Sequence, residues 1–359
     1  MTRKPNLAFP LNLTFPLRGV ILAMALAGAA FAQPRNTLPA SLVAADAVID
    51  TIMTGLTGTG GIAADDKGNV TVAETVANRS WRLPAGGSKQ ALASVAGLTL
   101  RGLVYDAQGR LLFCQDDKIS YFDADGAVHD LATRRADGGK LGHSNDLVIL
   151  DDGGVYFTNG DGNDVFYWHA GADPIVAASG LNYPDGIEAD EKLGKVYVNL
   201  FNQPYAVAAF DIQADHTLAN KQVLVSSLGN PDGLVLDALG NFYVTSLAEG
   251  CVAVYSPAGK ELGRITFPGE KIHNAAFGGR RNDTLYIVGE YAAFKMPMKV
   301  TGQRDPFHAA TALGPAPERP RRGTAAGYPF PAFGIATDAG APLRDARGRL
   351  RLFPERAVR

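Results

Sequence analysis

The chain has few of the residues that build disulfide frameworks, cofactor loops or charged binding surfaces. Its 359 residues include only two cysteines and two tryptophans. Two cysteines exclude a disulfide framework, and the sequence contains no CxxC, HExxH or glycine-rich phosphate loop. We expect Cys114 and Cys251 to be far apart and reduced, as ordinary buried residues. A net charge of −2 argues against nucleic acid or an anionic membrane as a partner.

The N-terminal segment 1–32 has the pattern of a secretory signal peptide. The basic residues Arg3, Lys4 and Arg18 precede the apolar run GVILAMALAGAAFA, which ends in the small-x-small sequence Ala-Phe-Ala. This run is too short to cross a bilayer core of ~30 Å as a helix, although an uncleaved anchor is the rival interpretation. The pattern predicts a periplasmic or secreted protein whose mature chain begins at Gln33.

A short phrase recurs six times and dominates the rest of the chain. It joins a small or polar residue, an apolar strand, an Asp-containing turn with Gly and an aromatic-rich strand, most clearly in NPDGLVLDALGNFYVTS at 230–246. The other copies lie at 60–73, 101–114, 145–158, 185–198 and 274–288. Their spacing of 40 to 47 residues is the length that a four-stranded propeller blade needs. Short alternating strands between Gly, Asp and Pro turns indicate an all-β chain.

The repeat therefore predicts a six-bladed β-propeller with four-stranded blades. A β-sandwich does not need six equal units, and the period is too long for a β-helix. The sixth unit lacks a fourth strand, so we expect the strand-like segment 45–53 to complete it and close the ring. The predicted divisions are a linker at 33–44, the propeller at 45–301 and a Pro/Arg-rich tail, extended or disordered, at 302–359.

Aligning the six copies places one residue of each at the start of its first strand. These residues are Gly60, Arg101, Asn145, Asp185, Asp232 and Asn274. Because first strands surround the axis of a propeller, the polar members are candidates for one shared site. Their carboxylate and amide oxygens suit a hard cation such as Ca²⁺, Mg²⁺ or Mn²⁺, and less typically Zn²⁺. The alternative is that each is an ordinary turn residue, but the two Pro-Asp-Gly sequences at Asp185 and Asp232 favour a site.

Other side chains adjoin these positions. His143 and His273 precede aligned residues, so each is placed near the channel mouth, where it could move protons or serve a structural role. A Ser–His nucleophile at Ser144 is excluded because adjacent strand residues point to opposite faces. Arg101 is suited to bind a substrate carboxylate or hydroxyls, or to pair with a neighbouring Asp.

Four of the repeated phrases resemble the SMP-30/gluconolactonase/luciferin-regenerating-enzyme family: NPDGLVLDALGNFYV, LNYPDGIEADEKLGKVYV, SNDLVILDDGGVYFT and HNAAFGGRRNDTLYIV. The resemblance extends over about residues 55–300. It implies a six-bladed propeller with a divalent metal in the central channel and, in many members, hydrolysis of lactones. It also implies that Asp232 and Asp185 are metal ligands and that Asn145 lies at the substrate end of the channel. Asn274 matches the Asn of the family's blade-six phrase.

The first blade departs from the family pattern. Where the family has a metal-binding Glu before Gly-Pro, this chain has Thr59-Gly60-Gly61. Asp185 stands where the family usually has an Asn, so the site keeps two negative charges. The carboxylates that could replace the missing ligand, none of them at the aligned position, are Glu74, Glu188, Glu249 and Glu290.

Together these observations predict a periplasmic, metal-dependent hydrolase of the lactonase type. Asp185 and Asp232 are the predicted catalytic residues and, with Asn145, the predicted ligands of a divalent metal, for which Ca²⁺ is expected first. The predicted substrate-binding residues are Asn145, Arg101, His143 and Asn274. The expected partner is a small lactone, with no nucleic acid and no membrane after signal cleavage. The alternatives are a non-catalytic ligand- or protein-binding propeller that has lost the first-blade Glu, and a propeller enzyme with other chemistry at the metal, such as isomerisation or C–C bond formation.

Overall fold

The described part of the chain is built from β-strands. The computed structural model describes residues 33–92, 98–123 and 126–303, and no helix occurs within these ranges. Accordingly, no described segment forms a helix long and apolar enough to cross a bilayer. The predicted signal peptide at 1–32 and the predicted tail from residue 304 onward lie outside the described residues.

Two short strands precede the repeats, β1 (Arg35–Asn36) and β2 (Asp50–Thr54). The repeats then supply five groups of four strands and a last group of three. Blade one contains β3 (Ile62–Ala64), β4 (Val70–Glu74), β5 (Arg79–Leu83) and β6 (Gln90–Leu92); blade two contains β7 (Leu103–Tyr105), β8 (Leu111–Cys114), β9 (Ile119–Phe122) and β10 (Val128–Ala132). Blade three contains β11 (Ser144–Ile149), β12 (Val155–Asn159), β13 (Asp164–Trp168) and β14 (Ile175–Ala178); blade four contains β15 (Pro184–Asp190), β16 (Lys195–Leu200), β17 (Ala206–Ile212) and β18 (Leu218–Val225). Blade five contains β19 (Pro231–Leu236), β20 (Phe242–Ser246), β21 (Cys251–Tyr255) and β22 (Glu261–Thr266); blade six contains β23 (Ile272–Gly278), β24 (Thr284–Gly289) and β25 (Ala292–Pro297).

Each group forms one antiparallel sheet in which sequential strands are neighbours. Blade six receives its fourth strand from the start of the chain, because β2 pairs with β25 and places Met53 opposite Ala293. This pairing confirms the prediction of six four-stranded blades closed by an N-terminal strand. The closing strand begins at Asp50, whereas the predicted segment began at residue 45.

An additional strand extends blade five. β1 pairs antiparallel with β22 and places Asn36 opposite Ile265. Leu38 and Leu42, which follow β1, are buried in the core shared by blades five and six. Burying a leucine side chain of this kind contributes ~1.5–3 kcal/mol. Much of the segment 33–44, predicted as a linker, therefore contacts the propeller.

The hydrophobic core lies between adjacent blades. Tyr156 of β12 is fully buried and packs in one cluster with Val198 of β16, so blades three and four share a core. Phe157, the next residue, packs instead with Leu112 of β8 between blades two and three. Adjacent residues of one strand thus fill two different interfaces, as the alternation of side chains requires. Both cysteines are buried and free, as the sequence predicted.

Aspartates cap the turns between first and second strands, as the repeat predicts. Oδ1 of Asp65 accepts hydrogen bonds from the backbone N–H groups of Lys67 (2.9 Å) and Asn69 (2.8 Å). Asp237 caps the equivalent turn of blade five and also forms a β-bridge with Gly302. The first residues of the predicted tail therefore lie against blade five, at the end of the channel opposite the aligned residues.

Candidate active site at the mouth of the axial channel

The aligned residues lie at one end of the propeller axis. Asn145, Asp185 and Asp232 stand at the starts of β11, β15 and β19. The register puts the start of each first strand beside the end of its second strand, as with Pro184 opposite Leu200. Loops that follow the second strands therefore surround the same end, which we name the channel mouth.

Glycines immediately after four aligned positions let neighbouring first strands approach each other. A Cβ at Gly186 would lie 2.3 Å from the backbone oxygen of Asp232, and one at Gly233 would lie 2.3 Å from Oδ1 of Asn274. The other two close approaches occur at Gly61 and Gly102. None of the four has a positive φ, so they serve close packing rather than turns. The turn interpretation of these Asp-Gly sequences therefore does not hold.

Polar side chains on second strands hold the backbone of the site in place. Each is fully buried and donates to a backbone oxygen of the next blade. The three hydrogen bonds run from Thr158 Oγ1 to Asp185 O (2.7 Å), from Asn199 Nδ2 to Asp232 O (2.7 Å) and from Thr245 Oγ1 to His273 O (2.8 Å). A hydrogen bond of this kind contributes ~0.5–1.5 kcal/mol, and here it also fixes the position of a side chain at the channel mouth.

The carboxyl groups of Asp185, which is buried, and of Asp232, whose side chain is 16% exposed, lie close enough to affect each other's pKa. Asn145 Nδ2 donates a further, short hydrogen bond to Oδ1 of Asp185. Burial, followed by the charges of Asp232 and Asp146, raises the pKa of Asp185 well above its ordinary value. Burial also raises the pKa of Asp232, although contacts with His273 and Asp185 oppose the shift. Burial and mutual repulsion therefore disfavour negative charge on both carboxyl groups at once, and His273 stabilises the charge of Asp232.

His273 connects this pair to a third carboxylate at the rim. Its Nδ1 lies 3.3 Å from Oδ2 of Asp232, and its Nε2 lies 2.9 Å from Oε2 of Glu290. Burial lowers the pKa of His273, but the hydrogen bonds and charges of Asp232 and Glu290 outweigh burial, so the pKa is raised. The Glu290 side chain is 20% exposed. These three residues form a path along which a proton can pass between the buried pair and solvent.

Arg101 is engaged by a neighbouring carboxylate. Its Nη2 and Nε donate to Oδ1 of Asp116 at 2.9 and 3.2 Å. The Asp116 side chain is 61% exposed, so the ion pair is solvated and can be displaced at little cost. Of the two roles predicted for Arg101, substrate binding and pairing with a neighbouring Asp, the structure shows the pairing.

His143 lies on the same side of the channel mouth as Arg101. Its Nδ1 is 3.3 Å from Oδ2 of Asp161. Burial, followed by the charge of Arg101, lowers the pKa of His143 despite the opposing effect of Asp161. The imidazole is therefore mainly neutral near pH 7 and serves as a hydrogen-bonding group rather than a fixed charge.

Asn274 and Asp146 lie deeper in the axial channel. Asn274 Nδ2 donates to Oδ2 of Asp146 at 3.4 Å, and Asn274 Oδ1 accepts from the N–H of Ala275 at 2.7 Å. Both line a cavity of about 100 Å³ whose walls are mostly aliphatic side chains of the first strands. Burial raises the pKa of Asp146 to about 7. The structure places Asn274, predicted to bind substrate, beside Asp146, which the repeat alignment did not single out.

The aligned position of the first blade has no room for a side chain. A Cβ at Gly60 would lie 2.2 Å from Oγ1 of Thr75. The Thr75 hydroxyl is held there because it donates to the backbone oxygen of Leu100 at 2.7 Å. A glutamate at position 60 would fit only if Thr75 moved. Thr75 therefore occupies the space in which the side chain of the family's first-blade glutamate would begin.

The four glutamates considered as replacements have separate environments. Glu290 reaches the carboxyl pair through His273, and Glu188 lines the deeper cavity. The other two accept hydrogen bonds from loop backbone, Glu74 from Thr57 N (2.7 Å) and Glu249 from Gly229 N (2.9 Å). Within the described residues, Glu290 is therefore the one linked to the pair. Its link was missed from the sequence because nothing in the repeat indicates the contact with His273.

The donor set suits a hard divalent cation. Asp185, Asp232 and Asn145 stand on three adjacent blades and carry carboxyl and amide oxygens, which are the ligand chemistry of Ca²⁺ and Mg²⁺. Repulsion between the two carboxylates, which contributes to the raised pKa of Asp185, is what a cation between them would relieve. Over residues 33–92, 98–123 and 126–303, no cluster of three or more His, Cys, Asp or Glu side chains has metal-binding geometry. An amide such as that of Asn145 would therefore have to complete the set.

Residues 57–290 match the family model described as SMP-30/Gluconolactonase/LRE-like region. A pentonolactonase of Haloferax volcanii is 42% identical over 60 residues, which are 17% of this chain and 21% of the relative. Regucalcin of Danio rerio is 29% identical over 102 residues, which are 27% of this chain and 35% of the relative. The chain thus matches between about a fifth and about a third of the lengths of these curated relatives.

One solved structure extends the comparison over the propeller. A gluconolactonase from Xanthomonas campestris shares 26% sequence identity and a TM-score of 0.67 with this chain. The match covers 74% of this chain and 95% of that protein. The similarity in fold therefore spans nearly all of the relative, whereas the sequence matches to the curated relatives are local.

Proposed function

This chain belongs to the SMP-30/gluconolactonase/LRE-like family, and we propose that it is a lactonase, a hydrolase that opens a small cyclic ester. Lactonases among its relatives support this type of activity. The structural observation that carries the proposal is the Asp185–Asp232 pair at the channel mouth, joined to the rim through His273 and Glu290. Buried carboxyl groups with raised pKa values are typical of sites that transfer protons.

Opening a lactone requires water to attack the ester carbonyl, and the residues at the mouth can manage the protons of that step. Asp232, whose negative charge is stabilised by His273, accepts a proton from the attacking water. His273, held between Asp232 and Glu290, returns a proton to the ring oxygen that leaves as an alcohol. Asn145 fixes the orientation of Asp185. Arg101 and His143 lie where they can orient the rest of the substrate.

The proposed cofactor is a divalent cation held by Asp185, Asp232 and Asn145. Ca²⁺ is the first expectation because all donors are oxygens, with Mg²⁺, Mn²⁺ and Zn²⁺ as alternatives. When bound, the cation would supply Lewis acidity toward the ester carbonyl and the attacking water. Its charge would also offset the repulsion between the two aspartates.

The proposed location is the periplasm or the exterior of the cell. This proposal rests on the sequence of residues 1–32, with its basic start, apolar run and small-x-small end. Fractionation of cells that express the full chain tests it, together with N-terminal sequencing of the product. Recovery in the cytoplasmic fraction with an intact N-terminus would contradict it.

A lactone-opening assay tests the function. The purified protein is given sugar and aromatic lactones with each of the four cations, and acid release is followed. Asp232→Ala should lower kcat/KM by at least ~10²-fold, because it removes a proton acceptor, and should weaken cation binding measured by calorimetry. Asp117→Ala is the matched control, because Asp117 is an exposed carboxylate in a loop at the same end. Wild-type turnover by Asp232→Ala, or failure of the wild-type protein to open any lactone, would contradict the proposal.

The alternative is a non-catalytic propeller that binds a ligand or protein at the mouth. The observation that favours it is Gly60, whose space is filled by Thr75, so the family's first-blade carboxylate would fit only if Thr75 moved. In that case Asp232→Ala would leave ligand binding intact, and no cation would raise turnover above background. The same protein preparations therefore separate the two functions.

A further inference from the structure

Three rings stand in sequence on one side of the channel mouth. The centroid of the Tyr183 ring lies 5.5 Å from that of Phe201 and 6.3 Å from that of His143. All three side chains are partly exposed, so they face the mouth rather than a closed core. We name these three residues the aromatic wall. Tyr183 is separated from Asp185 by Pro184 alone, which places the wall beside the carboxyl pair.

The backbone of Tyr183 adopts a conformation that bulky residues rarely take. Its φ is +55°, in the left-handed region where a Cβ crowds the following carbonyl. The equivalent residue of blade five, before the second Pro-Asp-Gly sequence, is Asn230, with φ +43°. Asparagine tolerates this region well. Blades four and five therefore share a positive φ before Pro-Asp-Gly, and blade four has there a residue poorly suited to it.

A second local feature accommodates the same ring. A Cβ at Gly160, in the loop of blade three, would lie 2.8 Å from Cε1 and from Cζ of Tyr183. Gly160 has no positive φ, so its backbone does not need a glycine. The missing side chain instead leaves space for the tyrosine to lie across the neighbouring blade. The strained backbone of Tyr183, together with the space that Gly160 leaves for its ring, indicates a functional role for the ring.

We propose that Tyr183 is a stacking residue for substrate, and that the site takes lactones fused to a flat apolar ring. Aromatic rings pair well at centroid distances of about 4.5–7 Å, the range already found within the wall. Phe201 offers no hydrogen-bonding group, so the part of the wall formed by Phe201 and the Tyr183 ring face suits an apolar ring face. The inference rests on the proposed lactonase function and adds the substrate class.

The test compares an aromatic-fused lactone, dihydrocoumarin, with the small aliphatic γ-butyrolactone. Tyr183→Asn removes the ring and installs the residue that blade five uses at the equivalent position. Tyr183→Phe keeps the ring and removes the hydroxyl. Gly160→Ala leaves Tyr183 in the sequence but pushes its ring away. For each variant kcat, KM and the melting temperature are measured.

Tyr183→Asn should raise KM for dihydrocoumarin about tenfold with little change in kcat, because stacking contributes equally to ground state and transition state. Kinetics with γ-butyrolactone should stay at wild-type values. The melting temperature should not fall, since asparagine relieves the backbone strain. Tyr183→Phe should match the wild type on both lactones, and Gly160→Ala should reproduce the selective rise in KM.

Two results would overturn the inference. An equal loss on both lactones by Tyr183→Asn would show a structural role, and unchanged KM for dihydrocoumarin would show no role. Binding of the unreactive lactams dihydrocarbostyril and pyrrolidinone, measured by calorimetry, separates this inference from the proposed function. Selective binding of the aromatic lactam that depends on Tyr183 supports stacking even if no lactone is opened. Absence of that selectivity in the wild type refutes stacking even if lactones are opened.

Discussion

Replacing Thr158 with valine removes a hydroxyl that joins blade three to the carboxyl pair and changes little else in shape. The hydroxyl is fully buried, donates to the backbone oxygen of Asp185 at 2.7 Å and accepts from the N–H of Asp146 at 3.0 Å. Valine leaves both backbone groups without this partner in a region that excludes water. The perturbation therefore combines a loss of stability with a loosening of the strand that carries Asp185.

The structure sets the size of the expected effect. Each buried polar group left unsatisfied costs ~1–3 kcal/mol, so the loss of two partners should lower the unfolding free energy by roughly 2–6 kcal/mol. For a domain of this size each kcal/mol shifts the melting temperature by ~2–4 °C, which gives a fall of roughly 4–24 °C. Because Asp185 is no longer held by this hydrogen bond, kcat/KM for lactone opening should fall as well, by about tenfold. Circular dichroism on heating measures the change in melting temperature, and the lactone assay at room temperature measures the change in kcat/KM.

Thr71→Val is the matched control. Thr71 is also a fully buried threonine on a second strand, and its hydroxyl lies 2.7 Å from the hydroxyl of Tyr105 between blades one and two. Thr71→Val should lower the free energy of unfolding by ~1 kcal/mol and leave kcat/KM unchanged. An unchanged melting temperature in Thr158→Val would show that the two hydrogen bonds of the Thr158 hydroxyl do not stabilise the fold. An equal fall of activity in both variants would refute its effect on Asp185.

Two further predictions concern the rim and the first blade. Glu290→Gln should lower the pKa of His273, because one of the two carboxylates that raise this pKa is lost, and should reduce kcat by up to ~10²-fold, because Glu290 belongs to the proposed proton path. NMR titration of the imidazole and steady-state kinetics measure the two effects, with Glu249→Gln as the control. An unchanged pKa of His273 would contradict the prediction. Gly60→Ala should lower the melting temperature by forcing Thr75 aside, at a cost of ~1–3 kcal/mol; an unchanged melting temperature would show that the space at Gly60 is open.

The repeat alone was sufficient to predict the fold and the end of the axis at which the candidate site lies. Equal spacing of six phrases predicts equal blades, and equal blades bring Asp185 and Asp232 to one end of the axis although they are 47 residues apart. The strand that closes blade six was predictable because the sixth unit lacked one and a spare strand remained near the start. Its exact beginning at Asp50 was not, because residues 45–49 and the strand have similar composition.

Contacts between loops could not be derived in this way. The link from His273 to Glu290 joins residues that have no counterpart in the other five repeats. The collision of a Cβ at Gly60 with Thr75 depends on where one hydroxyl points, and the sequence does not encode that direction locally. The left-handed φ of Tyr183 follows from its position before Pro-Asp-Gly in a propeller, since tyrosine by itself disfavours it.

By itself, the sequence determined the period, and the period determined the ring, its closure and the end at which two aspartates meet. Only the tertiary structure decided the chemistry available there: which carboxyl groups touch, which histidine joins them to the rim, and which blade has no room for a ligand. The physical reason is that the two kinds of information depend on residues at different separations along the chain. A repeat specifies strands through alternation and spacing along the chain, whereas pKa values and packing at the channel mouth depend on side chains brought within hydrogen-bonding distance from different blades.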